Sequence, residues 1–235
     1  MSVLEDNSFE MCTKCTICTE YCPVSEANSA FPGPKQSGPD GERLRLKDAR
    51  YYDEALKYCT NCKRCEVVCP SGVLVGDVIQ LARKKHGRGK FSLRDYVLSH
   101  TDLMGSLSAN PLAHVVNTAT SLKPFKVLLE SALGIPAARR LPRYAPQTFR
   151  RWFRKKAGKN QQQFGEQVNL FHGCYVNYNN PSLGKDGVRV LNAVGQGVQL
   201  SRGERCCGVP MIAGGFYDDA RKNARTNAKS FQSIA

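Results

Sequence analysis

Eight cysteines in two runs carry the clearest chemistry in this sequence. Cys12, Cys15, Cys18 and Cys22 stand before Pro23, and Cys59, Cys62, Cys65 and Cys69 stand before Pro70. Both runs read C-x2-C-x2-C-x3-C-P. Three thiolates at that spacing on a tight turn can hold three irons of one cubane. The fourth, next to proline, is carried in another direction and ligates the other cluster. The crossed rule groups Cys12, Cys15, Cys18 and Cys69 as one ligand set and Cys59, Cys62, Cys65 and Cys22 as the other. No position of either run is missing, so the expectation is two neighbouring 4Fe-4S centres suited to electron relay. Zinc and a disulfide scaffold compete for the same cysteines. Zinc would need only the C-x2-C pairs and would leave the third and fourth cysteine of each run without a purpose.

Three cysteines remain, Cys174 and the adjacent pair Cys206-Cys207, which is followed by Gly208. Neighbouring cysteines point in diverging directions and are hard to bridge to each other. Gly208 permits close backbone approach. A third cluster, a zinc ion and three free thiols are all compatible with this set, which is incomplete as a four-ligand site.

The elements that must position these residues are read from periodicity. Phe31 to Gly41 is rich in Pro and Gly and reads as a loop. Asp40 reads as the N-cap of a helix to about Tyr58, with Leu44, Ala55 and Leu56 as apolar positions and Tyr51 and Tyr52 between. Val73 to His86 reads as a helix with Val75, Val78, Ile79 and Ala82 on one face. Ser92 to Gly134 shows three short helical patterns broken at Gly105, Pro111 and Pro124, with Ser92 and Asn110 as caps. His100 and His114 there read as structural histidines. From Gln167 the pattern becomes strand (Val168–Phe171), helix (Pro181–Val194), strand (Gly197–Leu200) and a helix from about Tyr217, an α/β unit. The pattern divides the chain into a partly helical cluster segment over 1–90, a helical and basic spacer over 91–165, and an α/β cysteine-bearing segment over 166–235, so the expected class is α+β.

Composition narrows the setting. The hydrophobic fraction is 41%, ordinary for a globular protein. Met1 to Glu10 is acidic and polar, without the apolar core of a secretion signal, so eleven cysteines point to a reducing compartment and to metal. No apolar run is long enough to cross a membrane as a helix. The net charge is +14. Arg139, Arg140, Arg143, Arg150, Arg151, Arg154, Lys155, Lys156 and Lys159 fall in one stretch without an acidic residue, with Phe149, Trp152 and Phe153 interleaved. That composition suits an anionic membrane surface or an acidic partner, or a plain linker. No nucleic-acid motif accompanies it, so no nucleic-acid partner is expected. Neither a G-x-G-x-x-G after a strand nor a P-loop is present, so no flavin or nucleotide site and no catalytic residue is expected in this chain. Lys14, Lys63 and Arg64 lie beside the cysteine runs and are expected to raise cluster potentials.

The order of cluster domain, basic spacer and Cys-Cys-Gly segment resembles the third, iron-sulfur subunit of anaerobic glycerol-3-phosphate dehydrogenases. The stretches that carry the resemblance are Phe31–Gln36, Gly38–Asp48, Ser99–Ser106, Phe171–Cys174 and Cys206–Pro210. It implies an α-helical ferredoxin domain and a CCG domain like those of heterodisulfide reductase. The implied role is to take electrons from flavin-containing dehydrogenase subunits and pass them to a membrane quinone, menaquinone being the expected one. The subunit would sit peripherally on the cytoplasmic face of the inner membrane and help to anchor its partners. The family carries a further C-x-x-C beyond the CCG and a second CCG repeat. Neither occurs here, so the chain is expected to be a fragment of a longer protein. Iron-sulfur subunits of glycolate or lactate oxidation, and heterodisulfide-reductase-like complexes, share the architecture.

Overall fold

The computed structural model describes residues 8–48, 50, 51, 53–86 and 92–232, and the chain forms two compact units, Met1–Lys90 and Phe91–Ala235. The regular elements among the first unit's described residues are all helical. Its short helices are α1 (Ile17–Glu20), α2 (Pro23–Ala27), α3 (Gly41–Lys47), α4 (Arg64–Val67) and α5 (Val75–His86), with 3-10 turns at Ser8–Met11 and Glu54–Tyr58. As the apolar spacing requires, α5 buries Val75, Val78, Ile79 and Ala82. With Leu56, Val73, Cys18 and Cys65, three of these form the core, and Cys22, Phe31 and Ala55 form a second, smaller cluster. Core and cysteine runs are therefore one structure.

Two expectations in this unit are corrected. The segment read as a loop is helical from residue 34, and Gln36–Asp40 forms a π-helical turn that runs straight into α3. Pro39 lacks the N–H for an ordinary helical bond, and the wider turn absorbs it. The guanidinium of buried Arg45 donates from Nη2 to the carbonyls of Ser37 and Gly38 (3.3 Å each) and from Nε to Glu42 (2.7 Å), so the loosened turn is held from inside. Asp40 is consequently inside a helix and caps nothing; it pairs with Lys35 and Arg43. The helix also fails to reach Tyr58. It stops at Lys47, Leu44 is exposed, and only Ala55 and Leu56 of the expected apolar set are buried. Tyr52 lies outside the described residues.

The second unit begins with α6 (Leu93–Ser99) and α7 (Thr101–Ser108), then a 3-10 turn at Asn110–Leu112, α8 (Ala113–Ala119) and α9 (Lys123–Leu133). Ser92 caps α6, accepting from Asp95 N at 3.4 Å. Asn110 does not cap: its backbone is left-handed (φ 64) and its N–H donates to Ala145 O. Gly105 does not break a helix either, for it lies inside α7, its bare Cα covered by the ring of Tyr178. Next come α10 (Phe149–Trp152), β1 (Glu166–Asn169), α11 (Gly173–Tyr178), α12 (Pro181–Ala193), β2 (Gln196–Gln199), α13 (Val209–Gly214) and α14 (Tyr217–Gln232). The strands pair in parallel with Val168 opposite Val198. Phe149, Phe153, Ala157, Val188 and Val198 form the core beneath them. So Phe149 and Phe153, read from the sequence as part of a basic surface, are buried, and the basic stretch is built into the unit. Gln161 ties them together: its side-chain oxygen accepts from Val198 N (2.8 Å) and its amide donates to Ala157 O (3.2 Å). Together, the helical cluster domain and the small parallel sheet with its helices make the fold α+β, as expected from the sequence.

Candidate functional site: two crossed cysteine quartets and a cysteine-lined cavity

In each run the chain winds around the thiols through two left-handed residues that are not glycine. Lys14 (φ 61) and Thr16 (φ 65) flank Cys15, and Asn61 (φ 54) and Lys63 (φ 66) flank Cys62. Such conformations cost of order 1–3 kcal/mol each and persist where the surroundings or a ligand hold them. α1 and α4 start directly after Thr16 and Lys63 and carry the third cysteine of each run, Cys18 and Cys65, into the core. Gly33 (φ 100) lets the following segment lie on α1, since a Cβ there would come within 2.5 Å of Thr19.

The fourth cysteines cross. One cavity is lined by Cys12, Cys15, Cys18 and Cys69; a second is lined by Cys22, Cys59, Cys62 and Cys65. Hydrogen bonds reach sulfur from Val73 N–H, to Cys69 Sγ at 3.3 Å, and from Gln80 Nε2, to Cys59 Sγ at 3.8 Å. Arg83 donates to Cys59 O at 3.3 Å. Burial pushes the Cys18 and Cys59 thiols up, and burial with neighbouring thiolates pushes Cys65 up to about 12. A thiolate there requires a bound cation to hold it. Lys63 is not the bare positive charge expected beside the second quartet. It pairs with Glu66 (2.9 Å) and with Asp77, and both carboxylates hold its pKa up. Among the described residues, no three His, Cys, Asp or Glu side chains converge on the position of a single metal ion.

In the second unit, α11 starts at Cys174's neighbour Gly173 (φ 68), and Cys206-Cys207 precedes α13. The two cysteines diverge as expected, with Cys206 buried and Cys207 exposed. Gly208 (φ 89) packs on α14, where a Cβ would lie 3.0 Å from that of Ala220. Cys174 Sγ is 3.6 Å from Cys206 Sγ and 3.3 Å from Thr101 Oγ1. The hydrogen bond it shares with Cys206 lowers the Cys174 pKa to about 7. Both sulfurs line a cavity of about 180 Å³ together with Arg150, His172, Tyr178 and Glu204.

Three residues of that cavity were not singled out by the sequence. Arg150, one cation among nine in the basic stretch, turns inward and donates from Nε to His172 Nε2 (2.9 Å) and from Nη2 to Ser201 O (2.6 Å). His172 Nδ1 donates to Gly173 O at 2.8 Å. The ring is neutral: burial, with Arg150 beside it, lowers its pKa to about 4. Its 3.3 Å approach to Glu204 is therefore not an ion pair. Glu204 accepts from Gly173 N (2.8 Å), its other oxygen has no partner among the described residues, and burial raises its pKa. His100 is structural, as expected, stacked on Tyr96 and within 3.3 Å of Asp219; His114 is exposed.

With this geometry in place, comparison with known proteins is direct. Residues 8–73 match the 4Fe-4S dicluster domain, and residues 168–235 match the cysteine-rich domain. The chain joins a dicluster domain to a cysteine-rich domain. Over 229 residues it is 62% identical to a subunit of the anaerobic glycerol-3-phosphate dehydrogenase of Escherichia coli, covering 97% of this chain and 57% of the relative. It thus spans a little over half the length of that relative. A subunit of the fumarate reductase (CoM/CoB) of Methanothermobacter marburgensis is 24% identical over 94% of this chain and 39% of its own. A subunit of the H(2):CoB-CoM heterodisulfide,ferredoxin reductase of Methanothermobacter thermautotrophicus is 33% identical over 36% of this chain and 44% of its own. No solved structure matches. The dicluster match supports iron-sulfur clusters in this chain, and the resemblance read from the sequence stands.

Proposed function

We propose that the chain is an electron-transfer component of an anaerobic glycerol-3-phosphate dehydrogenase, holding two 4Fe-4S clusters. The observation that carries this reading is the crossing of the quartets: each cavity is walled by three cysteines of one run and the fourth of the other. Cys12, Cys15, Cys18 and Cys69 would hold one cluster, and Cys59, Cys62, Cys65 and Cys22 the other. Thiols spread around a cavity suit a multi-atom cluster better than one tetrahedral ion. Such clusters supply one-electron transfer. The chain's own part is to exclude water with Leu56, Val73 and Ile79 and to donate hydrogen bonds to sulfur from Val73 and Gln80, which favours the more negative, reduced state.

The 62% identity over nearly the whole chain favours glycerol 3-phosphate as the fuel of the complex. Flavin-containing subunits would deliver the electrons, and a membrane quinone, menaquinone in this reading, would receive them at the cytoplasmic face of the membrane. The domains are proposed as 1–90 for the clusters and 91–235 for the second unit, with 91–165 as its helical, basic part and 166–235 as its α/β cysteine-rich part. Cys174, Cys206 and Cys207 would provide part of a third site for a cluster or zinc.

The deciding measurement is iron and acid-labile sulfide content of anaerobically prepared protein, with EPR after dithionite reduction. About eight iron and eight sulfide per chain, with a spin-coupled signal, is the expected result; about twelve adds a cluster at the third site. Stoichiometric zinc without sulfide would overturn the reading.

A further inference from the structure

α5 buries one polar side chain among apolar ones. Gln80 is 4% exposed, on the helix that carries Val75, Ile79 and Ala82 into the core of the first unit. A primary amide at that depth costs free energy unless its hydrogen bonds are made. A leucine of similar size would carry no such cost. The two ends of the amide face different partners. Nε2 reaches Cys59 Sγ (3.8 Å), and Oε1 accepts from Arg83 Nη1 (3.4 Å), which also donates to Cys59 O (3.3 Å). Gln80 and Arg83 stand three residues apart on α5 and so share a face. A guanidinium has donors only. With Arg83 against one end of the amide, that end is the oxygen, and the end against the sulfur is the NH2.

The first quartet is arranged otherwise. There the donor to Cys69 Sγ is a main-chain N–H, that of Val73. Arg43, which reaches the carbonyl of Cys12 (3.5 Å) as Arg83 reaches that of Cys59, also pairs with the carboxylate of Asp40 (3.2 Å). We infer that Gln80 sets the reduction potential of the cluster at Cys22, Cys59, Cys62 and Cys65, and that Arg83 is its positioning residue, turning the amide so that it donates to sulfur. An added electron makes the sulfurs more negative, and a donor on Cys59 Sγ stabilises that state more than the oxidised one. Electron transfer breaks no bond here, and the amide keeps both of its protons. This role rests on the reading that the quartets hold 4Fe-4S clusters.

Potentiometric EPR titration of the full chain and its variants, prepared anaerobically and with iron and sulfide measured on each sample, tests it. Gln80→Leu is expected to lower one of the two midpoint potentials by about 59 mV, a tenfold shift in that reduction equilibrium. The other potential and the iron content should stay at the parent's values. Gln80→Glu keeps the size of the side chain, but Arg83 holds the carboxylate and the sulfur loses its donor, so the same potential falls at least as far. Arg83→Met should lower that potential in the parent and by clearly less in the Gln80→Leu background, because its action passes through the amide. An unmoved potential in both Gln80 variants at full iron content would overturn the role of Gln80. Variants that lose cluster and fold together would make the amide a structural support and overturn it as well. Equal shifts from Arg83→Met in the two backgrounds would leave Arg83 a plain charge and overturn its positioning role. A parent chain without iron-sulfur clusters would overturn the ligation itself and this role with it.

Discussion

At the scale of single residues, the two units use buried charge differently. Lys63 stands between two carboxylates beside the second quartet and compensates both. Lys63→Ala leaves Glu66 and Asp77 uncompensated and is expected to lower the potential of the nearer cluster. A potentiometric EPR titration checks it, and an unchanged potential would show that solvent screens the pair. His172 shapes the pH response of the second unit. Its folded pKa, near 4, lies below the unfolded value near 6.5. Between them the unfolded imidazole binds a proton that the folded one does not. Stability is full above about pH 6.5 and falls as pH drops toward 4, by up to about 3 kcal/mol. Glu204, whose folded pKa is raised, works in the opposite sense and offsets part of the loss. Urea melts between neutral pH and pH 4 should show this slope, and His172→Gln should flatten it.

At the scale of elements, two substitutions probe the supports of the sites. Gly33→Ala forces a Cβ into Thr19 at φ 100 and is expected to cost about 1–3 kcal/mol and to loosen the first cysteine loop, seen as faster cluster loss under a chelator. Gln161→Leu strands the buried N–H of Val198 and should cost about 1–3 kcal/mol in thermal or urea unfolding of the second unit. The elements also show where sequence reading works. β1, α12, β2 and α14 were legible within two residues because their apolar periods are regular and their ends carry Pro or Gly. The helix through Pro39 was not, because proline and glycine usually stop helices, and only the distant Arg45 side chain makes this π-helical turn tolerable. The crossed quartets followed from spacing alone. Arg150 could not be told apart from the cations around it, since a charge run does not say which member folds inward. His172 stood in a quoted stretch, yet its neutral, buried state depends on Arg150 and Glu204, which are distant in sequence.

At the scale of the whole molecule, the first unit's core is inseparable from its cysteines, whereas the second has an apolar core of its own. Removing iron should therefore unfold the first unit selectively. Calorimetry of the loaded protein is expected to show more than one transition, with only the one assigned to the first unit abolished by an anaerobic chelator. A single transition lost altogether would mean that the units fold as one.

The crossing of the fourth cysteines also bears on how the protein is made. As the chain leaves the ribosome, the first three thiols of the leading run emerge long before their fourth wall, Cys69, exists. The second cavity already has Cys22 waiting and is complete once Cys65 appears. Both sites thus reach full composition within four residues of each other. A nascent chain shorter than that offers an assembly machinery no finished site at all, and a slightly longer one offers both.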